Sequence, residues 1–183
     1  MKKTAKAIRI MTAPPRLALA LFTLLFSVRR DIFPLRAYII GVLLIAVLPT
    51  FAYVFKRERE SQRRLAFVLS GVGYAAAFAL GCALHLEGGT MFVFLSYLMS
   101  AAVLTLFNKV LRIRASGHAC AVAGPATLAY CIFGIKAFLI CLPVYVASFW
   151  ASLYSKRHTA SQLIFGTLSG VGATLASWLI YVK

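Results

Sequence analysis

Long apolar runs dominate the chain, at roughly 37–55, 65–85, 90–108, 117–133, 136–154 and 160–181, and short turns join them. Each run is long enough, or nearly so, to cross about 30 Å of hydrocarbon as a helix. Within hydrocarbon every backbone N–H and C=O needs a partner inside the protein, and a helix supplies those partners within one segment. The pattern predicts an all-α fold: an integral membrane bundle of six transmembrane helices. The chain has 183 residues, 62% of them hydrophobic, which suits one compact bundle and leaves no room for a separate soluble domain.

Residues 1–36 stand apart from this pattern. MKKTAKAIRIMTAPPR is basic, and Pro14-Pro15 stops any helix that precedes it. LALALFTLLFSV (17–28) follows, closed by Arg29-Arg30. This apolar run is short for a crossing, and no small-residue cleavage site of the signal-peptide kind comes after it. The expected organisation is an extra N-terminal apolar or interfacial helix in 1–36 ahead of a six-helix domain in 37–183. A tilted extra span that draws on residues from Ile10 onward is the alternative.

Lys and Arg total 20 against 4 Asp and Glu. With no soluble basic domain to bind nucleic acid, this excess belongs in loops on the cytoplasmic side and against anionic lipid. The turns at 56–64, 109–117 and 155–159 should share one face. That face would hold Lys56, Arg57, Arg59, Arg63, Arg64, Lys109, Arg112, Arg114, Lys156 and Arg157, against Lys136 and Lys183 on the other. Loop charge makes the first face cytoplasmic, as in a multi-pass protein of the cell membrane. If residues 1–36 do not cross, their cations join the second face and nearly cancel the bias; if they cross, the bias strengthens. Cys82, Cys120, Cys131 and Cys141 lie in apolar stretches with no CxxC pair, as small buried or lipid-facing residues do. His85, beside Glu87, has no motif around it and is expected to be structural.

No Asp or Glu occurs after Glu87. A site in the second half would attract anions and could offer no carboxylate to magnesium or calcium, which points to a phosphate-like ligand and no metal. His118 and His158 are separated by two apolar runs, so they should return to the same depth. Ser116 can cap the helix that begins at Gly117, and the glycine lets an anion approach free N–H groups closely. His158 and Gln162 are four residues apart and are expected on one helical face. The amide oxygen would fix the imidazole tautomer and leave the other ring nitrogen free to attack.

SGHACAVAG (116–124) resembles the SGH motif of the type 2 phosphatidic acid phosphatase and haloperoxidase superfamily. ASLYSKRHTASQLIFGTLSG (151–170) is similar to that family's third motif, SRxxxxxHxxxD followed by a glycine-spaced helix. The resemblance covers about 105–175. It implies that His158 attacks phosphorus and becomes a phosphohistidine, that His118 protonates the leaving oxygen, and that no metal or other cofactor takes part. Lys109, Arg112, Arg114, Arg157, Ser116 and Gly117 would hold the phosphoryl oxygens of a lipid phosphate substrate. The family's first motif, KxxxxxxRP, is absent as such. Ser152 stands where the third-motif arginine belongs, so Ser152→Arg is expected to raise activity. Gln162 replaces the closing aspartate. Two other readings stay open on the same residues: a non-catalytic relative that binds lipid phosphate, and a b-type haem protein with His118 and His158 as axial ligands.

Overall fold

The computed structural model describes residues 1–55 and 58–181, without the side chain of Arg59. The predicted loop cations Lys56, Arg57 and Lys183 lie outside the described residues. Among the described residues the chain is helical and contains no strand. In order the helices are α1 (Lys2–Met11), α2 (Pro14–Val28), α3 (Leu35–Phe55), α4 (Arg59–Ala83), α5 (Gly88–Val110), α6 (Gly117–Phe133), α7 (Ile135–Tyr154) and α8 (Ala160–Tyr181).

Helices α3, α4, α5, α7 and α8 are long and apolar enough to cross a membrane, and the bent pair α1–α2 is a sixth candidate. Helix α6 is shorter, at 17 residues. It sits in the middle of the bundle, packed on α8, α7, α2 and α5, so its neighbours rather than its own length fix its place. Val54, Ile140 and Ile180 point outward and are more than half exposed, which leaves an apolar exterior suited to lipid.

The breaks follow from the sequence. Pro14 starts α2 in its first turn, where its missing N–H costs nothing, and the α1–α2 pair bends by 51°. Pro49 interrupts α3, which relaxes through a π segment (Gly41–Val47) and a short 3-10 turn (Leu48–Thr50). Gly134 joins α6 to α7 at φ 79°, a backbone angle that a side chain would resist.

Of the readings offered for residues 1–36, the structure shows an apolar helix, α2, packed on the bundle. Thr12 lies against His118 at one end of the bundle, and the Ile32 carbonyl accepts the Thr90 hydroxyl at 2.7 Å at the other. Helix α2 therefore runs the length of the bundle. Its Leu21, Phe22 and Leu25 join Phe33, Phe94, Tyr97 and Leu128 in one core, with Phe22 stacked 5.5 Å from Phe33. One side of α2 is buried against the bundle, whereas Leu19, Leu24 and Val28 on its other side stay exposed. The cations of α1 consequently join the first face: Lys2, Lys6 and Arg9 share a groove with Arg63, Lys156 and Arg157. Arg29 and Asp31 pair at 2.8 Å near the opposite end.

Candidate functional site

The two histidines are brought together by the packing of α6 on α8. A methyl group built at Gly166 would run into the carbonyl oxygen of Ser116, and one at Gly170 would lie 2.6 Å from the carbonyl oxygen of Cys120. Only glycine permits so close an approach of two backbones. The Ser116 N–H then donates to the Gln162 carbonyl at 2.8 Å, a backbone bond that ties the start of α6 to the start of α8. Ser116 is 1% exposed, and its hydroxyl caps α6 by accepting from the Ala119 N–H. The amides of Gly117 and His118 come ahead of any intrahelical acceptor, and both residues line the cavity described below.

His158 sits just before α8, after a reversal of the chain at Lys156, where φ is 50°. Its partner is Gln162, at 3.2 Å from Nδ1, but not through a shared helical face. Thr159 and Gln162 form a capping box: the Gln162 N–H donates to the Thr159 hydroxyl, and Gln162 Oε1 accepts from the Thr159 N–H. An oxygen that receives a backbone N–H can only accept from histidine as well. Nδ1 therefore carries the proton and Nε2 holds a free lone pair. His158 is half-buried, and its pKa is lowered from the ordinary histidine value. Burial is the main cause, opposed by the Gln162 bond and reinforced by Arg9, Arg63 and Arg157.

His118 is held by residues that motif reasoning missed. Its Nε2 lies 3.1 Å from the Thr12 hydroxyl and 3.1 Å from the Ser148 hydroxyl. Thr12 spends its own proton on the Ile8 carbonyl, at 2.9 Å, so its oxygen is free to accept from the imidazole. A haem iron bound at this nitrogen would displace both hydroxyls. Among the described residues, no three His, Cys, Asp or Glu side chains converge as a metal site.

Both histidines line a cavity of about 570 Å³ that opens at the first face and descends between α4, α5 and α6. Arg9 and Arg63 stand at its mouth with Tyr53. These three residues also line an outer groove of about 990 Å³ that holds Lys2, Lys6, Lys156 and Arg157. The Arg9 Nε is shielded from water and has no hydrogen-bond partner among the described residues. Among the described residues, no Asp or Glu lines either cavity. The sequence-predicted cations divide. Arg157 reaches the outer groove, whereas Lys109, Arg112 and Arg114 are exposed and line neither cavity. The loop that carries them is closed by Asn108, which bonds the Ala115 N–H and C=O at 3.0 and 3.2 Å and turns the loop outward.

Ser152 lies at 0% exposure beside a void of about 10 Å³ shared with His118 and Ser148. That space admits no guanidinium, so the expected gain from Ser152→Arg is withdrawn. Arg9, from the far end of the sequence, lines the same cavity as the two histidines. A hint was present in α7: Ser148 and Ser152 are one helical turn apart in an otherwise apolar stretch, a polar stripe that asks for a partner. Comparison with models of known families, with curated proteins and with solved structures found no match.

Proposed function

We propose that the chain is an integral membrane phosphatase that hydrolyses a phosphomonoester or diphosphate of a lipid through a phosphohistidine, in the manner of the type 2 phosphatidic acid phosphatases. The observation that carries this reading is one cavity mouth where two histidines meet Arg9 and Arg63 with no carboxylate in the walls. Such a mouth favours an anion, and the apolar exterior of the bundle keeps a lipid substrate close.

In this reading His158 Nε2 attacks phosphorus, a P–N bond forms, and the bond to the lipid oxygen breaks. His118 gives that oxygen a proton, its own orientation fixed by Thr12 and Ser148. Water then attacks the phosphohistidine, His118 takes a proton from it, and inorganic phosphate leaves. A phosphate dianion beside His118 favours the protonated form of that imidazole, so substrate binding itself prepares the acid. Arg9 and Arg63 spread the charge of the transferring group. The bundle inserts with the first face towards the cytoplasm, since α1 adds its cations to that side.

The test is phosphate release from a panel of lipid phosphates in detergent with a chelator present. Wild type should release phosphate, and His158→Ala should abolish release. His118→Ala should cost roughly 10²- to 10⁴-fold for an alkyl leaving group and far less for an activated aryl phosphate, which needs no acid. Equal release by wild type and His158→Ala would sink the assignment.

A further inference from the structure

Below its cationic mouth the cavity changes character. Its deep wall carries hydroxyls and no charge: Ser96, Tyr97, Ser100 and Thr174 line it among apolar neighbours. Two of these hydroxyls have no hydrogen-bond partner among the described residues, Tyr97 Oη and Thr174 Oγ1, although Tyr97 is 8% exposed and Thr174 is 0% exposed. Ser96 differs, since it donates to its own helix at the Phe92 carbonyl. A buried hydroxyl without a partner is costly, and two facing one cavity mark a place built to be completed by something polar.

Helix geometry gives the depth of this place. Leu104 of α5 abuts Gly117 at the mouth, and Tyr97 lies seven residues deeper on that helix, about 10 Å below. Thr174 of α8 faces Gly124, which lies seven residues into α6, again about 10 Å below. Tyr97 and Thr174 therefore stand at about one depth of the bundle.

We infer that this is a second ligand subsite: the chain of the amphiphile bound at the mouth descends into the bundle, and a neutral oxygen on that chain is hydrogen-bonded by Tyr97 and Thr174. The group is a hydroxyl, ether or carbonyl, because no charged side chain lines the deep wall to meet an ion. The subsite deepens the phosphatase reading and rests on it for the anionic head. It distinguishes a ligand with an oxygen about 10 Å from phosphorus from one with a plain hydrocarbon tail.

The experiment uses the full chain in detergent and medium-chain alkylphosphonates, which bind without being hydrolysed. Each is offered as the plain chain and with one hydroxyl placed about 10 Å from phosphorus. Calorimetry should give the hydroxylated chain an advantage of about tenfold in Kd. Tyr97→Phe and Thr174→Val should each reduce that advantage while leaving the affinity of the plain chain unchanged. Both substitutions remove only an unpartnered hydroxyl, so neither should lower the Tm of the free protein, and a folding failure is visible separately. Equal affinity of the two series in wild type, a preference that survives both substitutions, or no binding of either series overturns the subsite. Phosphate release from the matching alkyl phosphates separates the two ideas. No release with the preference intact removes the phosphatase reading alone; release with no preference removes the subsite alone.

Discussion

At Arg9 a guanidinium with a shielded Nε feels the charges of Arg157 and Arg63. Like charges gathered without a carboxylate repel one another, and an anion relieves them. The same charges help to hold the His158 pKa below the ordinary histidine value, which in the proposed mechanism favours the neutral imidazole that attacks. Arg9→Gln removes one of those charges. The His158 pKa then rises, and the acid limb of the kcat/KM profile should move to higher pH, with kcat/KM down roughly 10- to 100-fold from the lost contact to phosphate. Gln162→Leu should move the limb the other way, because the bond it removes raises the His158 pKa. A pH profile of the two variants against wild type checks both signs. Loss of the Gln162 bond also frees the tautomer, so that variant should be slower at every pH.

Helix α8 serves the site through its first turn and its glycine face. The capping box at Thr159 and Gln162 fixes where the helix starts, and Gly166 and Gly170 bring it onto α6. Gly166→Ala places a methyl group against the Ser116 carbonyl and must part the two helices. It should destabilise the protein by roughly 1–3 kcal/mol, seen as a lower Tm, and cut activity by separating His118 from His158. Gly172 has open space around the same position, so Gly172→Ala is the control and should keep both. This pairing was legible in the sequence. Ser116 as a cap, the two histidines at one depth and Gln162 as the partner of His158 all follow from local spacing. Lys109, Arg112 and Arg114 did not follow, because the outward turn of their loop depends on Asn108 reaching across to Ala115.

The arrangement of the whole bundle hid Arg9 and Thr12 from sequence reasoning, since their place depends on α2 lying in the core beside Phe94 and Leu128. An apolar run is read by length, but a buried helix is held by its neighbours. The long apolar helices needed no such knowledge and were plain from composition. With α2 running end to end, the N-terminus and the 109–114 loop lie on one side, and the turn at Gly134 lies on the other. Single cysteines at Lys2 and Arg112, in a background without native cysteines, should be labelled by an impermeant maleimide from the same side of sealed vesicles. A cysteine at Lys136 should be labelled from the opposite side. The packing of α1 on α7, which sets Arg9 in the cavity that His158 lines, also bears on how the protein is made. Arg9 and Thr12 are made long before His158, so the segment that carries them waits for one much later in the chain. A nascent product that stops short of His158 holds half of the constellation at most, and the site is assembled only once the segment that carries His158 has been added.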